Sequence, residues 1–113
     1  MNIFVYLILI ILLSSFITGV LIVVRIWNKW NINNKLIEAI ESGQEKTAEI
    51  LINKGASANA IQRGTALTAL MVAAKRGNIN ICKLLVHNGA NVNMKDASRF
   101  TALSYAVEFH NQE

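Results

Sequence analysis

The chain of 113 residues has no proline, a single cysteine and no charged side chain before Arg25. One cysteine excludes a disulfide framework and any cysteine-rich zinc site. The lack of proline excludes collagen-like and polyproline chains. Acidic residues are also scarce: seven against eleven Lys and Arg, a formal net charge of +4. What remains favours neither an enzyme-sized pocket nor a nucleic-acid-binding domain.

The charges are unevenly placed. Residues 1–24 carry none, whereas residues 25–113 hold all 18 in 89 positions, about 20%, close to the level of an ordinary soluble domain. Two unlike segments are therefore joined end to end.

From Ile3 to Val24 the sequence reads IFVYLILIILLSSFITGVLIVV. Its only interruptions are Ser14, Ser15, Thr18 and Gly19, which are small or able to bond back to a helix. At about 1.5 Å per residue this run would reach roughly 33 Å, against a hydrocarbon layer of about 30 Å. The length suits one membrane crossing, so residues 1–24 are read as a transmembrane helix. A secretory signal is the competing reading. Against it, no Lys or Arg precedes the run, which is longer than a usual signal core, and five apolar residues follow Gly19. Arg25, Lys29 and Lys35 follow the run, so the positive-inside rule puts the C-terminal part in the cytoplasm and the N-terminus outside. Trp27 and Trp30 stand where an interfacial aromatic belt would lie. The cluster Asn28, Asn31, Asn33 and Asn34 predicts a linker or helix boundary over residues 25–34, since Asn favours caps and turns over helix interiors.

The remainder repeats itself. KLIEAIESGQEKTAEILINKGASANA from Lys35 is answered by ALMVAAKRGNINICKLLVHNGANVNM from Ala69. Gly43, Gly55 and Asn59 recur at one constant offset as Gly77, Gly89 and Asn93. A third unit, ALSYAVEFHNQE, begins at Ala102. Each unit predicts a short apolar helix, a glycine-centred turn, and a second helix with one apolar face. Leu70, Ala73 and Ala74 give the first helix a narrow face that a neighbour can approach. Ile81, Cys82, Leu84, Leu85 and Val86 give the second its bulk. Gly89 suits a left-handed helix stop, where a Cβ would be penalised.

These residues resemble the ankyrin repeat, whose pattern is roughly G-x-T-P-L-H-x-A-A-x-x-G-H followed by I-V-x-L-L-L-x-x-G-A-D-V-N-A. Thr68-Ala69-Leu70-Met71-Val72-Ala73-Ala74 matches the T-P-L-H-x-A-A stretch, and Ile81 to Asn93 matches the second half almost position by position. The resemblance covers residues 35–113, about two and a third repeats. It implies an all-α fold, an ankyrin-type helix-turn-helix solenoid preceded by one transmembrane helix.

Three departures carry expectations. The family's Pro is Ala69 and Ala102, and its His is Met71 and Ser104, so the hydrogen bonding between Thr and His that tightens each turn is expected to be missing. The step from Gly55 to Thr68 is one position longer than the step from Gly89 to Thr101, which predicts a looser turn around Gln62 to Thr65. The third unit is read as truncated after its first helix. Marginal stability follows, with an apolar face near Tyr105, Val107 and Phe109 that another chain or a membrane surface would have to cover.

No catalytic constellation forms, and no cofactor or metal site is expected. Cys82 and His87, five apart in a helix, should face different ways; Cys82 reads as a buried thiol. His87 and His110 lie near helix ends. Ser104 has no elbow-like context for a nucleophile. In the ankyrin family partners bind turn tips and the exposed side of the first helix. Transferred by alignment, this implies Lys95, Ala97, Ser98 and Phe100 in the second turn, Lys75 and Arg76 on the helix, and Arg63 in the first turn. Such a basic strip suits an acidic protein or anionic head group. Asp96 reads as a turn residue bonding nearby N–H groups, and Glu38, Glu41, Glu45 and Glu49 as an acidic side facing water.

The expectation is a membrane-anchored module, not an enzyme, that displays its repeats on the cytoplasmic side to hold a protein partner, with self-association through the third repeat as a second mode. A secreted effector, an adaptor for an enzyme in another chain, and a fragment of a longer gene without its own function stay open at this level.

Overall fold

The computed structural model describes residues 2–112, which divide into two compact units at Trp30–Asn31. The elements in chain order are α1 (Ile3–Glu41), α2 (Glu45–Asn53), α3 (Ala69–Lys75), α4 (Ile79–His87) and α5 (Ala102–Gln112). Among the described residues no strand forms; one isolated bridge pairs Ile61 with Thr68.

In the first unit the apolar stretch of α1 buries nothing, and large side chains such as Phe4, Phe16 and Val23 stand mostly exposed. This helix is long and apolar enough to cross a membrane. The Thr18 hydroxyl donates to the Ser14 carbonyl at 2.8 Å, so one polar interruption is satisfied within the helix itself.

Residues 25–34, expected as a linker or helix boundary, contain the division between the two units but no helix boundary, because α1 runs without a break to Glu41. The asparagines do not cap anything here because tertiary structure uses one of them. Asn33, half-buried, accepts the Ser57 N–H through its Oδ1 at 2.8 Å.

The second unit packs around Leu36, Ile40, Met71, Ile81 and Leu85, all fully enclosed. Burying each of these side chains stabilises by about 1.5–3 kcal/mol. The last turns of α1 present Leu36, Ile37, Ala39 and Ile40 to this core. α3 is buried along Ala69–Ala74, where the alanines leave room for close packing. It packs against both α4 and α5, while α2 packs against α4.

The reciprocal bonding expected to be missing is present with different atoms. Thr68 accepts the Met71 N–H on its hydroxyl at 3.2 Å, and its own N–H reaches the Met71 sulfur at 3.4 Å. At the next repeat the Thr101 N–H donates to the Ser104 hydroxyl at 3.3 Å, and the Ser104 N–H to the Thr101 hydroxyl at 3.4 Å. A thioether and a hydroxyl thus fill the acceptor position that an imidazole would occupy.

The first turn is not loose. The Gln62 N–H donates to the Leu67 carbonyl at 2.7 Å, and the Thr65 hydroxyl to the Gln62 side chain at 2.7 Å. In the second turn the closing bond runs from the Asp96 N–H to the Phe100 carbonyl at 2.9 Å. The first loop is one residue longer between its bonded ends and closes nonetheless. Ala66 and Arg99, two residues before each helix cap, are both left-handed with φ of 58° and 68°.

Candidate interaction surface

The turns and the exposed end of α3 carry the residues singled out in the sequence. Arg63 is exposed between Gln62 and Gly64 in the first turn. Lys75 and Arg76 are exposed at the C-terminal end of α3 and share a pocket of about 260 Å³ with Glu41, Gln62, Leu67 and Val72. Lys95, Ala97, Ser98 and Phe100 are exposed on the second turn, between α4 and α5. The structure therefore groups Lys75 and Arg76 with the base of the first turn, and sets the other four on a separate turn.

One neighbour, Arg99, was not read from the sequence, and two acidic residues sit differently from the expectation. Arg99 adds a cation at the tip of the second turn, where it is exposed with a left-handed backbone; its place beside Ser98 and Phe100 was the available signal. Glu41 is half-buried and accepts a hydrogen bond from the Gln62 carboxamide, and Glu45 accepts from the Asn80 carboxamide at 3.3 Å. The acidic side of the first repeat is thus partly engaged across elements, not wholly solvated, because the turn and α4 bring amide donors over it.

Asp96 shapes the second turn. Its Oδ1 accepts the N–H groups of Ser98 and Phe100, each at 2.9 Å, and its Oδ2 accepts the Tyr105 hydroxyl. The Tyr105 hydroxyl, aided by the two N–H groups and opposed by desolvation, holds Asp96 below the usual carboxylate range. The same bond, with desolvation and the charges of Asp96 and Glu108, pushes the Tyr105 phenol up to about 12. Phe100 meets the Tyr105 ring edge-on, centroids 6.0 Å apart at 84°. Its ring is held in place while half of its surface stays exposed.

Cys82 is half-buried, and burial pushes its thiol up. It is less enclosed than expected, and it lines one broad groove that His87 and His110 also line. No cluster of three or more metal-ligating side chains occurs among the described residues.

The family description "Ankyrin repeats (3 copies)" matches residues 36–113. The chain belongs to the ankyrin repeat family. Relatives include an ankyrin repeat-containing protein of Treponema pallidum, 39% identical over 69 residues, covering 61% of this chain and 23% of that one. Human ankyrin repeat and SOCS box protein 6 is 37% identical over 65 residues, 58% of this chain and 15% of its own length. Zebrafish ankyrin repeat and SAM domain-containing protein 6 is 31% identical over 78 residues, 69% and 11% respectively. The matched region spans less than a quarter of each of these relatives. Ankyrin repeats form a protein–protein interaction module, and the turns described above belong to such a module.

Proposed function

We propose that this ankyrin repeat chain is anchored in a membrane by residues 3–24 and holds a protein partner beside the bilayer on the cytoplasmic side. The observation that carries the reading is one chain in which an apolar helical stretch with no buried residue precedes a folded ankyrin unit. Arg25, Lys29 and Lys35 after the apolar run support the cytoplasmic assignment. Tethering raises the local concentration of the binding surface, so a weak interaction suffices to localise a partner.

The exposed cations Arg63, Lys75, Arg76 and Lys95, together with Ala97, Ser98 and the held ring of Phe100, form the surface we assign to that partner. Their charge favours an acidic protein through Coulomb attraction, and binding should weaken as salt rises.

Alkaline extraction of membranes from cells expressing the full chain, with intact mass of the fraction that holds it, tests the anchor. Full-length protein resisting extraction is the expected result. A shortened soluble species would replace anchoring with export, and a full-length soluble species would rule out both.

A further inference from the structure

Residues 25–30 close the first unit, and every one of them is exposed. They belong to the unbroken helix α1, so their spacing fixes the faces they occupy. At about 100° per residue, Lys29 returns to within about 40° of Arg25, one turn further along. Trp27 and Trp30 fall about 60° from each other on the opposite side. The first acidic residue of the chain is Glu38, well past Lys29. It lies beyond the three or four positions at which helix side chains meet, so neither cation is neutralised by a carboxylate of its own helix. The apolar run ends at Val24, and a helix inserted through that run brings the next turn to the level of the lipid phosphates.

We infer that Arg25 and Lys29 bracket the head group of an anionic phospholipid where the apolar run ends, with Trp27 and Trp30 seated in the same interfacial layer. The inference rests on the anchoring proposed above. Spacing supplies the first argument: the two cations share a face one turn apart, near enough to reach one phosphate together, and the guanidinium of Arg25 is shaped to take two of its oxygens. Both stems are long enough to lie along apolar surface while the charges stay at head-group level. Charge supplies the second argument. A zwitterionic head group brings its own ammonium to the pair, whereas an anionic one brings unbalanced negative charge, so the pair selects the latter. The indole rings suit the interfacial layer and, lying on the far side of the helix, leave the cationic face clear.

Trp27 and Trp30 make the test direct, since they are the chain's two tryptophans. The full chain is reconstituted in phosphatidylcholine vesicles in which a fixed minority of the lipid is brominated near the top of its acyl chains, where bromine quenches indole fluorescence on contact. The brominated lipid is phosphatidylserine in one series and phosphatidylcholine in the other. The expected result is stronger quenching by the serine lipid at equal mole fraction, an excess that shrinks as salt rises. Lys29→Gln and Arg25→Gln should each lower the relative affinity for the serine lipid, read from quenching against mole fraction, by up to about fivefold. Lys29→Arg should keep it. Lys29→Gln combined with Ile26→Lys conserves net charge but puts the cations on adjacent positions that do not face each other, and it should lose the preference as Lys29→Gln does. A preference retained in that variant would overturn the paired site in favour of net charge alone. Equal quenching by both lipids in the parent chain would overturn the inference and leave the anchor standing. Absence of quenching by either would remove the anchor and the inference together.

Discussion

Asn59 binds the backbone of the next repeat from both ends of its carboxamide: Oδ1 accepts the Asn91 N–H at 2.7 Å and Nδ2 donates to the Gly89 carbonyl at 3.3 Å. Ser57 occupies the position one repeat before Asn91, and its N–H is accepted by Asn33 of α1. The helix that begins the second unit therefore supplies, from its own side, the carboxamide that a preceding repeat would supply from a turn. Even the internal bonds match, the Asn59 N–H meeting Ser57 Oγ at 3.2 Å and the Asn93 N–H meeting Asn91 Oδ1 at 3.0 Å.

Asn59→Ala should lower the stability of the ankyrin unit by about 1–2 kcal/mol, two partly exposed hydrogen bonds at about 0.5–1.5 each less what water restores. Asn33→Ala should cost about half as much, having one such bond. Urea unfolding of the full chain in detergent, followed by circular dichroism, measures both. Equal, negligible effects would mean that packing alone aligns the repeats.

Gly43 and Gly77 make a matched pair, with φ of 70° and 69°, but a Cβ at Gly43 would enter open space while one at Gly77 would clash with the Phe109 ring. Gly43→Ala should cost about 1–2 kcal/mol from left-handed strain alone. Gly77→Ala should cost more, and Phe109→Ala in the same chain should bring the added effect of the glycine change back to the Gly43→Ala value. The comparison is a double-mutant cycle read by thermal unfolding.

Met71→Leu keeps the side-chain volume but removes the acceptor for the buried Thr68 N–H. A destabilisation of about 1–3 kcal/mol is expected, above the usual cost of an isosteric core change. Met71→Gln, which restores an acceptor, should lose less. A Leu variant as stable as the parent would show that the sulfur contact contributes nothing.

Asp96 and Tyr105 give opposite limbs of one pH profile. Asp96 is held below its unfolded value, so its contribution is present above the unfolded carboxylate range and is lost as pH falls through the depressed folded value. Tyr105 is raised, so its contribution is whole below about 10, its ordinary range, and is lost as pH climbs through about 12. Tyr105→Phe should flatten both limbs of stability against pH relative to the parent. Unchanged limbs in that variant would assign the pH dependence to other groups.

Much of the ankyrin unit was legible because its repeat spacing and its apolar positions are local facts. Leu70, Ala73 and Ala74 of the first helix face are buried, as are Ile81 and Leu85 of the second, whereas Cys82 and Leu84 are half-buried and Val86 is exposed. Asn33 was read as a boundary because intrinsic preference is all a sequence shows of it. Its actual role depends on Ser57, far along the chain in the loop after α2, and long-range pairing of that kind overrides local propensity. Met71 is discounted for a similar reason: the pattern replaces a familiar acceptor with a thioether, and only the folded chain brings the sulfur to the Thr68 N–H. The extra residue of the first turn was read as slack, yet the loop closes through Gln62 and Leu67 with Ala66 in a left-handed conformation.

The unbroken helical run of α1 fixes where the chain can be severed. Cutting at Lys35, where the repeat pattern starts, would keep Leu36 and Ile40 but remove Asn33, leaving the Ser57 N–H without its carboxamide. A shortened derivative that preserves the ankyrin unit has to retain Asn33, which lies just inside the boundary of that unit at Asn31. Any protease that frees the repeats intact must therefore cut inside a helix, on the N-terminal side of an asparagine that the sequence alone would have assigned to the discarded piece.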